Sequence, residues 1–318
     1  MRLLSRLLLL ALAWGAGALA AQPLLAPAQL KALAQEGAVR LIDVREAPAY
    51  ALQHLPGAVS APYGRWRATG ANLGLVPPLA ELTTLVQELG LTPDSHAVVV
   101  YTGIDAADFG SAARVYWTLK SLGLTRLSIL NGGLTAWKDA GLPVSDQPAT
   151  APRSRWQPRF NPQWMATQAD VRASLAQPDV LRVDARPAPF FQGRLAHDAA
   201  RARGTLPGAV HLDSDVFFEL GTAALMDPAA LASEAEALGA AAGQAVIAFC
   251  NAGQWSATDW FVLSEVLGRP GVRMYPGSMV DWTRSPTPLP MVNEPGRWQQ
   301  LRYAVLGWAN RNLGTPAP

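Results

Sequence analysis

Four short motifs occur twice along this chain of 318 residues, in the same order both times. Strand-like segments that end in Asp-x-Arg stand at 41–45 and 182–186, and Leu-Pro-Gly-Ala-Val stands at 55–59 and 206–210. The other two pairs are 97–101 with 245–249, and 131–137 with 275–282. Because the pairs share an offset of about 141 to 151 residues, the chain is predicted to contain a duplicated domain. Half of the residues are hydrophobic, enough to give each copy its own core.

Within each copy, short β-rich runs alternate with helical patterns, for example at 79–89 and 112–122. This alternation is typical of βα units around a parallel sheet. We therefore predict an α/β fold of two similar domains, each a mostly parallel sheet flanked by helices. The predicted boundaries are a signal peptide at 1–21, a first domain at 23–145, a Pro-rich linker at 146–158, a second domain at 159–292, and a C-terminal helix and tail at 293–318.

The N-terminus has the three parts of a secretory signal peptide. Arg2 and Arg6 flank the start of an apolar run at 7–14, and the small residues that follow end in Ala-Leu-Ala at 18–20. The run is short for a membrane span, although an uncleaved anchor stays open as an alternative. We expect a mature chain that begins near Ala21, has no stable membrane span and is periplasmic or otherwise exported.

The charge balance argues against nucleic acid as a partner, and the spacing of the histidines argues against a metal site. Lys plus Arg number 26 and Asp plus Glu 24, and no basic tract is present, so nucleic-acid binding is not expected. The four histidines have no ligand spacing to one another. The sequence therefore predicts neither a metal site nor a cofactor.

Cys250 is the only cysteine, so it cannot form a disulfide within the chain. It directly follows the predicted strand at 245–249, at the carboxyl end where parallel sheets place their ligands. The loop leads into a predicted helix, whose N-terminus and inward N–H groups stabilise an anion such as a thiolate or persulfide. Gly253 suits a positive φ in this loop, and Ser256 is a candidate N-cap of the helix. An inert core cysteine is the alternative.

The Asp-x-Arg strand, the Leu-Pro-Gly-Ala-Val segment and the strand-Cys-x-x-Gly loop resemble the rhodanese family, in its tandem-domain, exported bacterial form. The resemblance covers nearly the whole predicted mature chain. It implies a sulfurtransferase in which Cys250 takes sulfane sulfur from thiosulfate or a related small donor, as a persulfide. The acceptor would be thiophilic: cyanide, a thiol or an acceptor protein. In such proteins the first domain is usually inactive, and here Thr102 aligns with Cys250.

The resemblance also implies which side chains surround the sulfur. The loop lacks the basic residue usual in members that use thiosulfate, and Phe190 stands where an arginine is expected. Arg194, Arg201 and Arg203 are candidates to compensate, with solvated surface arginines as the alternative. Trp255 could wall the pocket, stack on a donor or pack between domains. The predicted substrate-binding residues are Asn251, Ala252, Gly253, Gln254, Trp255, Ser256, Phe190 and Arg194.

Two further groups near strand ends have structural interpretations. Asp184 with Arg186, like Asp43 with Arg45, is interpreted as an ion pair or turn-fixing group rather than as a catalyst. His211 follows the second Leu-Pro-Gly-Ala-Val segment and could approach the site, with a surface histidine as the alternative.

Other activities of a cysteine loop are weighed in the same way. A cysteine phosphatase needs an arginine at the end of the loop to bind phosphate, and this chain has Ser256 and Ala257 there. A thiol–disulfide oxidoreductase needs a second cysteine. The remaining alternative is a low-activity sulfane-sulfur carrier or a non-catalytic binding protein on the same fold.

Overall fold

The computed structural model describes residues 21–241 and 243–313, so the predicted signal peptide lies outside the described residues except for Ala21. The strands are β1 (Leu24–Leu25), β2 (Arg40–Asp43), β3 (Val59–Ser60), β4 (His96–Val100), β5 (Arg126–Leu130), β6 (Val180–Asp184), β7 (Ala209–His211), β8 (Ala245–Phe249) and β9 (Val272–Met274). The helices are α1 (Pro27–Gln35), α2 (Ala47–Leu52), α3 (Leu79–Glu88), α4 (Ala106–Ser121), α5 (Gly133–Asp139), α6 (Gln168–Ser174), α7 (Ala188–Phe191), α8 (Pro228–Glu236), α9 (Trp255–Trp260), α10 (Ser278–Thr283) and α11 (Arg297–Leu313).

The strands form two separate sheets, one from each half of the chain. The order is β1-β5-β4-β2-β3 in the first sheet and β7-β6-β8-β9 in the second, and every neighbouring pair is parallel. The strand β4 is buried along its whole length, as expected where helices cover both faces of a parallel sheet. The predicted α/β fold with two parallel sheets is confirmed.

Helix α4 begins earlier than its apolar pattern indicates. Asp105 caps it, because its carboxylate accepts the N–H of Asp108 over 2.8 Å, so the helix starts at Ala106 rather than near 112. The first turns bury the small residues Gly110 and Ser111 against the second domain, and a pattern of large apolar residues does not reveal such a surface.

The two domains pack together through α4 and α9. One hydrophobic cluster contains buried residues of both halves. Within it the ring of Phe261 lies 5.0 Å from Tyr116 and 5.7 Å from Phe109, centroid to centroid. A salt bridge of 2.6 Å joins Lys120 of α4 to Glu265, which lies in a π-helix (Phe261–Val266) that continues α9. This packing brings the first domain against the cysteine loop, because α9 starts directly after that loop.

The predicted linker is irregular and is attached to the first domain. The N–H of Ala149 donates to the hydroxyl of Tyr50 over 3.1 Å, and the N–H of Ser154 donates to the carbonyl of Gln87 over 2.9 Å. The predicted C-terminal helix is present as α11, but Trp298 on it is 84% exposed, so this helix buries only part of its apolar surface. Across the described ranges, we find no helix that combines the length and apolar character of a membrane span.

Candidate active site

Cys250 is the first residue after β8, and its side chain is buried. The backbone on both sides of it is held firmly. Its N–H donates to the hydroxyl of Ser278 over 3.0 Å, and its carbonyl accepts the N–H of Met279 over 3.1 Å. Both partners belong to α10, which follows the neighbouring strand β9. The carboxyl ends of two adjacent strands therefore fix the position of the sulfur.

Two donors from the loop approach the sulfur of Cys250. The N–H of Gly253 donates to Sγ over 3.1 Å, and the hydroxyl of Ser256 lies 3.5 Å from Sγ. Gly253 has the positive φ predicted for it, 74°, which turns its N–H towards the sulfur. The prediction that Ser256 is the N-cap is wrong. Gln254 is the capping residue, with no side-chain cap, because Ser256 lies inside the first turn where its hydroxyl faces Sγ.

Ser278 is a site residue that the sequence analysis missed. Its φ is 51°, in the left-handed region that glycine normally occupies. Its hydroxyl accepts the N–H of Cys250 and donates to the carbonyl of Tyr275 over 2.7 Å. Ser278 is the first residue of α10, and the equivalent first residue of α5 is Gly133, with a φ of 60°. The sequence feature that could have identified Ser278 is a serine where the other repeat has glycine.

The structure corrects the residue that replaces Cys250 in the first domain. Asp184 lies opposite Phe249 in the second sheet, and the equivalent Asp43 lies opposite Val100 in the first. The residue after Val100 is Tyr101, so Tyr101 and not Thr102 is the counterpart of Cys250. All five residues of β4 are buried, so its sequence lacks the alternation of apolar and polar residues that would set the register. A one-residue shift between the two repeats therefore cannot be detected from the sequence.

In the first domain, the loop that corresponds to the cysteine loop is filled by a carboxylate. The carboxylate of Asp108 accepts the N–H groups of Gly103 and Ile104 over 2.7 and 3.2 Å. Ile104 is the counterpart of Gly253, whose N–H binds the sulfur in the second domain. The first domain therefore has neither a thiol nor a free set of N–H donors at this place.

Asp184 and Arg186 form the predicted buried ion pair, with 2.6 Å between the guanidinium and the carboxylate. Arg186 Nη1 also donates to the side-chain oxygen of Asn251 over 3.3 Å, so the pair supports the cysteine loop. His211 is part of the same support, because its Nε2 bonds to the carbonyl of Arg186 over 2.7 Å. The first domain has the equivalent pair, Asp43 with Arg45.

Phe190 and Trp255 form an aromatic wall beside the loop. Their ring centroids are 5.7 Å apart, and the guanidinium carbon of Arg186 lies 5.9 Å from the centroid of Phe190. Both rings are partly exposed. The aromatic side chain at position 190 therefore packs on an arginine already present in the ion pair.

Two of the predicted substrate-binding residues, Gln254 and Arg194, form hydrogen bonds with groups outside the cysteine loop. The side-chain amide of Gln254 donates to the carbonyl of Ala107 over 2.7 Å and to the hydroxyl of Ser111 over 2.9 Å, so it attaches the loop to α4. The carbonyl of Arg194 accepts a hydrogen bond from Arg203, and among the described residues no hydrogen bond connects Arg194 with the cysteine loop.

Basic residues from outside the loop line a cavity beside it. A cavity of about 260 Å³ lies between the domains and is lined by Arg67, Arg284, His197 and Ala252, the last of these in the cysteine loop. Within the described part of the chain, neither Arg67 nor Arg284 forms an ion pair, and no acidic residue lines the cavity. Neither arginine was predicted from the sequence, and the approach of Arg67 depends on how the domains pack.

Arg114 of α4 was also missed. It is 1% exposed, and it donates through Nη1 to the carbonyl of Gly253 over 3.3 Å and through Nη2 to the carbonyl of Gly74 over 2.8 Å. A lone arginine within the apolar pattern at 112–122 was the signal for it. Gly74 itself lies against the loop, since a Cβ added there would be 2.8 Å from the Cα of Ala252.

A buried carboxyl lies behind the loop. Asp259 of α9 is fully buried, and in the described structure neither of its oxygens has a hydrogen-bond partner. Burial, and then the negative charges of Cys250 and Asp213, raise the pKa of Asp259 well above its ordinary value. The fold therefore favours the protonated form of this carboxyl. In residues 21–241 and 243–313, no group of three or more His, Cys, Asp or Glu side chains is arranged to hold a metal ion.

Comparison with known proteins gives a consistent result for both halves of the chain. Residues 26–140 and 167–285 each match the family described as the rhodanese-like domain. A thiosulfate sulfurtransferase from Azotobacter vinelandii is 30% identical over 271 residues, which cover 82% of this chain and 93% of that protein. A probable 3-mercaptopyruvate sulfurtransferase from Pseudomonas aeruginosa is 30% identical over 286 residues, covering 83% and 95%. The solved 3-mercaptopyruvate sulfotransferase of Escherichia coli has the same fold, with a TM-score of 0.71 at 24% identity, covering 81% of this chain and 98% of that chain.

Proposed function

This chain belongs to the rhodanese-like family, with one such domain in each half, and we propose that it is a sulfurtransferase that carries sulfane sulfur on Cys250. Its relatives are thiosulfate and 3-mercaptopyruvate sulfurtransferases, which supports sulfur transfer as the general activity. The observation that carries the proposal is the environment of Sγ at the end of β8. An inward N–H and a hydroxyl stabilise negative charge on this sulfur, and the same donors suit a persulfide.

The proposed reaction has two steps. The sulfur anion of Cys250 attacks the sulfane sulfur of the donor, and a new S–S bond forms. The bond from that sulfur to the rest of the donor breaks, and its electron pair leaves with the remnant, which is sulfite if thiosulfate is the donor. An acceptor such as cyanide then attacks the outer sulfur, and the electron pair of the S–S bond returns to Cys250.

The interdomain cavity supports an anionic donor. The cysteine loop has no charged side chain at positions 251–255, so it supplies no cation of its own. Arg67 from the first domain and Arg284 from the second line the same cavity as Ala252, and neither guanidinium has a carboxylate partner in the described structure. We assign to these two arginines the sulfonate or carboxylate end of the donor, as guanidinium groups bind such oxyanions well.

A turnover assay tests the proposed activity. Purified protein is supplied with thiosulfate or with 3-mercaptopyruvate, cyanide is the acceptor, and thiocyanate is measured. We expect turnover with at least one donor in the natural chain and none in the Cys250→Ser variant. Rates for the natural chain that equal those of Cys250→Ser with both donors would refute sulfurtransferase activity.

The second candidate is a low-activity sulfane-sulfur carrier. Cys250 is 1% exposed, and a sulfur so enclosed favours slow exchange with small molecules in solution. A carrier would load one sulfur from a donor and would release it to cyanide much more slowly than an enzyme would. Single-turnover measurements of loading and release therefore distinguish the two functions.

We further propose that the protein is exported to the periplasm or beyond, on the basis of the charged, apolar and small-residue segments at 1–21. Edman sequencing of the protein recovered from the periplasmic fraction of the host should give a mature N-terminus near Ala21. Full-length chain found only in the cytoplasmic fraction would contradict export.

A further inference from the structure

Arg114 is a cation with an unusual environment. Its side chain is completely buried at the contact between α4 and the cysteine loop, and it forms no ion pair with any carboxylate of the described residues. Two of its nitrogens donate to backbone carbonyls, but Nε has no acceptor in the described structure. Burying a guanidinium with an unpaired N–H is costly unless a negative charge lies nearby.

Arg182 shows how the same chain satisfies a buried arginine that has no carboxylate. Its Nε donates to the carbonyl of Pro207 over 3.1 Å, and its Nη1 donates to the carbonyls of Ser174 and Val180 over 2.6 and 3.1 Å. Neutral carbonyls are therefore enough for Arg182. Arg114 has fewer such partners and is more completely buried, which points to a charged neighbour.

Arg114 is connected to the sulfur of Cys250 through one residue of the cysteine loop, Gly253. Nη1 of Arg114 lies 3.3 Å from the carbonyl oxygen of Gly253, and the N–H of the same Gly253 lies 3.1 Å from Sγ. A Cβ added to Gly253 would stand 2.3 Å from Nη1. The backbone of a single glycine thus links the guanidinium to the sulfur through its carbonyl and its N–H.

The hydroxyl of Tyr63 lies in the same buried region. It has no hydrogen-bond partner within the described part of the chain. Burial raises the pKa of Tyr63, and Arg114 opposes that rise, so the hydroxyl is protonated at neutral pH and can donate. Burial lowers the pKa of Arg114 to about 10, which leaves the guanidinium charged at neutral pH. The first domain therefore contributes two buried donors with free capacity, one of them cationic.

We propose that Arg114 of the first domain is the counterion of the sulfur anion on Cys250. For the thiolate the proposal stands on the geometry alone, and for the persulfide it rests on the proposed function. The first domain, which lacks a thiol, would then supply the charge that the cysteine loop does not contain. Arg114 acts through its field and through the carbonyl of Gly253, so it is a positioning residue.

The test uses the single cysteine of the chain. Thiolate formation is followed by ultraviolet absorbance during a pH titration of the full-length protein, and the titration of Cys250→Ser is subtracted. Four proteins are compared: the natural chain, Arg114→Met, Arg114→Lys and Arg182→Met. The last variant removes a buried arginine with no carboxylate partner that does not contact the cysteine loop.

We expect the titration midpoint of Cys250 in Arg114→Met to rise by about one pH unit or more. A nearby opposite charge favours the ionised form of a group, and its removal typically shifts the pKa by about one unit or more. Arg114→Lys keeps the charge, and its midpoint should stay within about half a unit of the natural chain. Arg182→Met should show no shift. Circular dichroism confirms that each variant is folded.

An unchanged midpoint in folded Arg114→Met overturns the proposal, and so does an equal shift in Arg114→Met and Arg182→Met. If the methionine variant does not fold, Arg114→Lys decides alone, and a shift of about one unit there assigns Arg114 a purely structural role. The titration requires no sulfur donor. A chain without sulfur transfer could still show the coupling, so failure of the proposed function and failure of this inference are distinguishable.

Discussion

Tyr101 and Cys250 occupy equivalent positions, each directly after the strand that lies beside the Asp-x-Arg strand of its domain. The ring of Tyr101 is buried in the core, where its hydroxyl donates to the carbonyl of Ala223 over 2.6 Å. The sulfur of Cys250 instead accepts the N–H of Gly253 in its own loop. One domain thus uses this position for packing across the interface, and the other uses it for a reactive sulfur.

This register predicts that a thiol at position 102 cannot replace Cys250. Thr102 aligns with Asn251, and the N–H donors after it already bind the carboxylate of Asp108. We expect Thr102→Cys combined with Cys250→Ser to form no more thiocyanate than Cys250→Ser alone. Turnover restored by the added cysteine would show that the assigned register is wrong.

The cavity predicts a separate effect on donor binding. Arg67→Ala or Arg284→Ala should raise KM for an anionic donor by about tenfold each, as expected for loss of one charge-assisted contact. The effect on kcat should be smaller. Arg65→Ala is the matched control, because Arg65 is exposed and is paired with Glu88 over 2.6 Å. Equal KM values for all three variants would exclude the cavity as the donor site.

Gly253 is predicted to be irreplaceable for two separate reasons. Its φ is positive, and a Cβ would clash with Arg114 Nη1 at 2.3 Å and with the carbonyl oxygen of Pro276 at 2.7 Å. We expect Gly253→Ala to lower sulfur transfer by at least about tenfold. Gly221→Ala is the control, with a φ of 75° and no atom within 4 Å of the added Cβ. It should cost about 1 kcal/mol of stability and leave sulfur transfer unchanged. Similar activity in the two variants would contradict the assigned role of Gly253.

The buried carboxyl of Asp259 predicts a pH-dependent stability. Because burial raises the pKa of Asp259 in the folded state above its ordinary value of 3.8, the unfolded state ionises first as pH rises. The folded chain therefore loses stability from about pH 4 upward. Asp259→Asn removes this loss, so its stability relative to the natural chain should rise by roughly 1–3 kcal/mol between pH 4 and 7.

Urea unfolding at several pH values measures this difference. Asp94→Asn serves as the control for the loss of a carboxyl group, because Asp94 is exposed. A difference for Asp259→Asn that does not change with pH beyond that of Asp94→Asn would mean that the carboxyl of Asp259 has an unseen partner in the folded state.

Local sequence predicted the cysteine loop and the ion pair beside it. The spacing of Cys250 and Gly253 after an apolar strand predicted the loop, and the Asp184–Arg186 pair followed from a motif repeated in both halves. Such features depend on a few neighbouring residues, so they can be predicted from the order of residue types along the chain.

Two of the residues that were missed depend on contacts between the domains. Arg114 and Arg67 belong to the first domain, yet they reach the cysteine loop and its cavity only because α4 packs on α9. The spacing of residues along the chain does not show how the two domains pack. The misalignment of Thr102 has another cause, since a strand buried on both faces lacks the alternation that sets a register.

The most direct test of sulfur transfer through Cys250 is the mass of the intact protein after incubation with a sulfane-sulfur donor and removal of excess reagent. We predict a gain of one sulfur atom in the natural chain, its loss on addition of cyanide with release of thiocyanate, and no gain in Cys250→Ser. An unchanged mass with thiosulfate, 3-mercaptopyruvate and a persulfide donor alike, or an equal gain in Cys250→Ser, would contradict sulfur transfer through Cys250.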